Sequence, residues 1–117
     1  MNQDVTLPMK DPALPGLEVT KPLHADHIVP MEKFTEMEGF SRLTFEDQVK
    51  MLNYEPNFQG LSEVANTSKG AKSFTEWELY KKGNIFVDPA FRSAMIDKAA
   101  KLESELQQYI NGLRLGC

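Results

Sequence analysis

One cysteine, Cys117, and two histidines, His24 and His27, make up the chain's whole stock of thiol and imidazole ligands. A single cysteine excludes an intrachain disulfide and any zinc knuckle built on cysteine pairs. Core packing must therefore hold the fold. No apolar run reaches the roughly 18 residues that a membrane-spanning helix needs. No basic stretch leads into an apolar one near the start, so the pattern of a Sec-type signal peptide is missing. Positive charge is scarce, with 13 Lys and Arg against 17 Asp and Glu, a net charge of −4. That balance argues mildly against a polyanion-binding surface, because phosphates are neutralised by Lys and Arg. What remains is 117 residues, 41% of them hydrophobic. This size suits one domain with a small core.

The charges are not evenly spread. Residues 31–56 carry Glu32, Glu36, Glu38, Glu46, Asp47 and Glu55 against Lys33, Arg42 and Lys50. Residues 64–82 carry Lys69, Lys72, Lys81 and Lys82 against Glu76 and Glu78. The acidic stretch reads as a solvated face, or as a seat for a basic partner. Four of the seven prolines (Pro8, Pro12, Pro15 and Pro22) fall in residues 1–22 with Gly16. Those breakers predict an extended leader or linker over 1–22, ahead of a domain over 23–117.

Within that domain, Leu23 to Val29 reads as a short strand ended by Pro30. Residues 31–43 read as an irregular connection containing Gly39. Thr44 is an N-cap with Asp47 three residues on, and Phe45, Val49 and Leu52 share a helical face, which predicts a helix over 45–53. Pro56 stops it. Asn57 to Leu61 reads as a second strand or turn. Ser62 caps a helix over 63–69 that Gly70 ends. Phe74, Trp77, Leu79 and Tyr80 form an amphipathic stretch ending at Gly83, with the aromatics in the core. Asp88-Pro89 opens a last helix. Its stripe of Phe91, Met95, Ala99, Leu102, Leu106, Tyr109, Ile110 and Leu113 extends it to about 112. Lys98, Lys101, Glu103 and Glu105 form its solvated face. The fold class is α+β, mostly helical by residue count.

Chemistry concentrates in Asp26-His27-Ile28-Val29-Pro30, then Asn57, then Asn66-Thr67-Ser68-Lys69-Gly70. Cutting a phosphodiester needs an activated water and relief of charge at the phosphorane and the leaving oxygen. A histidine titrating near neutrality suits the first task. A hard divalent cation suits the second, held by few protein oxygens together with water and phosphate. One carboxylate and one amide carbonyl meet that need. Neighbours on a strand point to opposite faces, so Asp26 and His27 share a site only where the strand ends and twists. Lys69 lies one turn beyond Asn66 on the same helix face, where its ammonium would meet a phosphate. Asn57, at a turn, is placed to tie the loop that carries His27. His24 shares a strand face with Asp26 and reads as a packed or surface histidine, or else as a further phosphate contact.

At these residues the chain resembles the HNH, or His-Me finger, endonucleases. It looks most like the HNH domain of RNA-guided CRISPR nucleases, which shares Asp-His-Ile-Val-Pro. There too a structural asparagine lies nine residues before a metal-binding one, as Asn57 lies before Asn66 here, and a short basic stretch follows, as Lys69 and Lys72 provide. The resemblance covers about residues 23–73, with 74–117 a helical extension. It implies a ββα-metal core of two antiparallel strands and a helix, here with an inserted helix. It implies His27 as general base, Asn57 as the loop-fixing residue of the catalytic set, and Asp26 and Asn66 as ligands of one divalent metal. Mg²⁺ is expected, with Mn²⁺, Ni²⁺ or Zn²⁺ as alternatives. The chain departs from the wider family in having no zinc-binding cysteines, in the inserted helix, and in Asn66 where many members have histidine.

The implied activity is hydrolysis of DNA with low sequence specificity, leaving 5′-phosphate and 3′-hydroxyl ends, with RNA as the alternative substrate. The implied setting is a bacterial toxin domain, delivered by a secretion system such as type VI into a target-cell cytoplasm and neutralised by an immunity protein. A phage or restriction-type HNH enzyme is the rival setting. A binding domain that keeps the motif without the chemistry is the rival class.

Overall fold

The computed structural model describes residues 6–115, and Cys117 lies outside them. About 49% of the structure is helical, and the strands form small antiparallel sheets. In chain order the elements are β1 (Met9–Lys10), β2 (Glu18–Val19), β3 (His24–His27), α1 (Met31–Glu36), α2 (Phe45–Leu52), β4 (Phe58–Leu61), α3 (Glu63–Lys69), β5 (Leu79–Tyr80), β6 (Ile85–Phe86) and α4 (Pro89–Leu115). Single 3₁₀ turns cover Phe40–Arg42 and Glu55–Asn57. The strands pair as β1 with β2, β3 with β4, and β5 with β6.

The sheet that matters for the site joins β3 to β4 in the register His24 to Leu61, Ala25 to Gly60, Asp26 to Gln59 and His27 to Phe58. The helix α3 follows β4 at once. Its start is fixed by Ser62, whose hydroxyl accepts from the Ala65 N–H at 3.0 Å. Thr44 does the same for α2, accepting from Asp47 N–H at 3.1 Å. Asp88 does it for α4, with Phe91 N–H at 2.9 Å. Each cap satisfies an amide that the helix leaves without a partner.

One core binds these elements. Leu102, Leu106 and Ile110 of α4, Met51 of α2, Phe34 of α1, Ile28 and Val29 after β3, Leu61 of β4 and Ala65 of α3 are all buried in it. Phe74 and Trp77 join them, with 1% of each exposed. Arg92 holds their segment in place, its guanidinium donating to the carbonyls of Phe74, Thr75 and Trp77.

Three expectations are corrected. The first is the unpacked leader. Ala13 and Leu14 are fully buried and Val19 nearly so. Asp11 is buried too, accepting from the amides of Ala13 and Leu14 and from the Ser62 hydroxyl. Prolines Pro12 and Pro15 lie exposed on either side. They shape a turn that places two apolar residues inward, so breakers here mark a bend in a packed segment rather than a linker. The second is the irregular connection over 31–43, which holds α1. This helix has no side-chain cap and buries only Phe34, so neither start signal nor periodicity announces it. The third is the stretch before Gly83, which is turns and a hairpin. β5 and β6 are two residues each, and the turn between them puts Asn84 in the left-handed region at φ 50°.

Candidate functional site

β3, β4 and α3 bring the motif together. A cavity of about 330 Å³ is lined by Asp26 and His27 from β3 and by Asn66 and Lys69 from α3. The two histidines part company: His24 is exposed on β3 and stands outside this cavity.

Asp26 is buried, with 6% of it exposed. Its Oδ2 lies 2.9 Å from Lys69 Nζ. The distance is that of a hydrogen bond but the alignment is not, and among the described residues Oδ2 has no hydrogen-bond donor. We read the contact as an ion pair. Burial pushes the Asp26 carboxyl above the ordinary carboxylate range. The Lys69 ammonium pulls it down by contact and charge, His27 adds a further downward pull, and burial prevails.

Lys69 is 1% exposed, and its ammonium also lies 3.4 Å from the His27 carbonyl and 4.7 Å from the centre of the Phe74 ring. The expectation of a phosphate contact at Lys69 is therefore corrected. Its position on the Asn66 face of α3 is as the helical spacing predicts, but the charge is directed inward, onto the carboxylate. Lys72 is exposed and lines a neighbouring cavity instead.

His27 packs its ring against Phe58 of β4 and the end of α2. Its ring centre lies 4.5 Å from that of Phe58, and its Nε2 lies 2.9 Å from the Leu52 carbonyl. A carbonyl only accepts, so Nε2 carries the proton in this bond. The neutral imidazole then has a bare Nδ1, the basic nitrogen. Leu52 ends α2, where carbonyls lack helical partners. Sequence reasoning missed Leu52 because a backbone carbonyl leaves no mark in residue identity. The helix cap at Thr44 and the breaker at Pro56 were the available signals for where α2 would end.

Asn57 is fully buried. Its Oδ1 accepts from the Val29 N–H at 2.8 Å and its Nδ2 donates to the Val29 carbonyl at 3.1 Å, while its own carbonyl accepts from the Ile28 N–H at 2.8 Å. The side chain stands in for a strand partner where the ladder has ended. It holds the chain just past His27 at a fixed distance from β4. Asn57→Ala would leave the Val29 amide and carbonyl buried without partners. At about 1–3 kcal/mol for each orphaned group, the loss is about 2–6 kcal/mol in a denaturant titration, with faster hydrogen exchange at Val29. Asn57→Asp would keep one bond and set an acceptor against the Val29 carbonyl, so it should destabilise as well.

The half-buried Asn66 makes no side-chain hydrogen bond among the described residues. Its amide oxygen is thus uncommitted on the wall it shares with Asp26. Asp26 and Asn66 put a carboxylate and an uncommitted amide oxygen on one cavity wall, a donor set that suits a hard divalent cation once Lys69 yields its hold on Asp26 Oδ2. Among the described residues no group of three or more His, Cys, Asp and Glu gathers as a metal site. A hard cation would take two oxygens here and the rest from water and phosphate.

No family model matches this chain, and neither a curated protein nor a solved structure matches it.

Proposed function

We propose that the chain is an HNH-type, metal-dependent endonuclease that hydrolyses DNA with low sequence specificity. The observation that carries this reading is the division of labour between neighbouring residues of β3. Asp26 offers a buried carboxylate, with Asn66 lining the same cavity. At the next residue a histidine has one nitrogen engaged by Leu52 and the other left basic. The ββα-metal core of that family is the reading we give to β3, β4 and α3.

In this reading, His27 Nδ1 accepts a proton from water as its oxygen attacks phosphorus. The bond from phosphorus to the 3′ oxygen breaks, and that oxygen takes a proton from solvent. The products carry 5′-phosphate and 3′-hydroxyl ends. A divalent cation, Mg²⁺ by preference, would supply charge relief at the phosphorane and at the leaving oxygen. Asp26 and Asn66 would hold it. Asn57 and Leu52 position the loop and the ring. We also propose a bacterial setting, as a secreted antibacterial effector neutralised by an immunity protein. That proposal rests on the resemblance, since the packed segment over 6–22 removes the argument from a loose leader.

The test is plasmid cleavage with Mg²⁺ or Mn²⁺, and with EDTA as control, alongside calorimetry of metal binding. Asn66→Ala touches no hydrogen bond of the fold, so it should leave thermal stability unchanged. It should weaken metal binding and cleavage together, and excess Mg²⁺ should return part of the activity. Folded wild-type protein that binds no metal and cuts nothing would sink the proposal.

A further inference from the structure

Behind α3, on the side away from Asp26, lies a second cavity of about 390 Å³. Its wall carries Thr67, Ser68, Lys72, Tyr80, Lys81 and Lys82. All three lysines are exposed, and none takes an ion pair among the described residues. The one acid on the wall, Glu63, faces Lys21 at 3.8 Å. The Ser68 hydroxyl accepts from the Trp77 indole N–H at 2.9 Å, which leaves its own proton to donate.

The rim is shaped by its turn. Lys81 and Lys82 sit in the loop between β5 and β6, closed by the Asn84 N–H on the Lys81 carbonyl at 3.2 Å. Gly83 in that loop lets the Tyr80 ring fold close beneath it, since a Cβ there would fall 2.8 Å from the ring. The two lysines are thereby held at the cavity edge over Tyr80.

We infer that this cavity is a second phosphate-binding site, taking the sugar-phosphate backbone of a polynucleotide whose scissile phosphate lies at Asp26 and Asn66. The identity of the polyanion rests on the nuclease reading. The placement rests on adjacency, because Asn66 and Lys69 line one cavity while Thr67, Ser68 and Lys72 line the other. A helix is about 10 Å across, so a strand crossing the end of α3 reaches both within a few nucleotides. The net charge of −4 is no obstacle. Binding follows the local field, and residues 31–56 alone carry six acids against three bases.

The experiment measures binding of a fluorescent DNA oligonucleotide in EDTA across a salt series, beside plasmid cleavage in Mg²⁺. It compares wild type with Lys72→Ala/Lys81→Ala/Lys82→Ala, with the same three positions changed to Arg, and with Lys98→Ala/Lys101→Ala on the exposed face of α4. The alanine triple should bind about tenfold or more weakly near about 0.1 M salt, with a salt slope shallower by roughly 2 to 3. The arginine triple and the α4 pair should bind as wild type does. Equal binding by the alanine triple, an equal loss in the α4 pair, or no binding by wild type would overturn the inference. If wild type cuts but the alanine triple binds undiminished, this site is wrong and the nuclease reading stands. If the triple loses binding while no metal gives cleavage by wild type, the site stands and the nuclease reading falls.

Discussion

His27→Ala is expected to slow phosphodiester cleavage by about 10²–10⁴-fold, the usual worth of a positioned general base. The argument is geometric. Nε2 is committed to the Leu52 carbonyl at 2.9 Å, so Nδ1 is the nitrogen available to take a proton. The substitution removes that nitrogen and leaves the oxygens of Asp26 and Asn66 in place, with Asp26 losing only the smallest of the pulls on its carboxyl. Metal affinity by calorimetry and oligonucleotide affinity in EDTA should therefore stay near wild type. The fold should survive as well. The ring is half-buried, and its loss costs one hydrogen bond and the packing on Phe58, a minor part of a stability of about 5–15 kcal/mol. Single-turnover cleavage by folded His27→Ala at the wild-type rate would show that another group activates the water.

Deleting residues 1–22 is expected to abolish cooperative unfolding, although prolines crowd that segment. Leu14 and Ala13 are fully buried and Val19 is 3% exposed. Burying a Leu or Val side chain contributes about 1.5–3 kcal/mol, and Asp11 adds hydrogen bonds to its own turn and to Ser62 at the start of α3. Together these approach about 5 kcal/mol or more, comparable with the whole stability of a domain this size. A thermal melt followed by near-ultraviolet circular dichroism reads the outcome directly. The single change Leu14→Ala should cost about 2–5 kcal/mol. A shortened chain that melts as the full chain does would show that the segment merely lies on the surface.

Helix caps were the most legible part of the sequence. Thr44, Ser62 and Asp88 each accept from an amide three residues on, and the apolar stripe from Phe91 to Leu113 lies on the inner side of α4. Such local hydrogen bonds and periods are written in residues a few positions apart. The pairing of β3 with β4 was legible only through Asp-His-Ile-Val-Pro and the asparagine spacing. Two contacts were hidden because they depend on distant partners, and one element because it is too short. Lys69 is an ordinary helix lysine until Asp26 and Phe74 surround it. Asp11 is an ordinary turn residue until Ser62 arrives. The β5 and β6 hairpin is too short to show an alternating pattern, and Gly83 in its turn reads as the end of an amphipathic stretch.

The strands that carry the site pair residues 24–27 with 58–61, closing a loop of about thirty residues, so they cannot form as a local hairpin. Closing such a loop costs entropy before any contact repays it, and contacts of this range slow folding. Of the described helices, only α4, at 27 residues, exceeds the roughly 12–15 at which an isolated helix begins to hold its shape. The one helix long enough to hold its shape alone therefore lies outside the segment that carries the site. Asp26 and His27 are neighbours in the chain, but Asn57 and Asn66 reach them only as the long loop closes, so a half-folded chain of this sequence has no complete site.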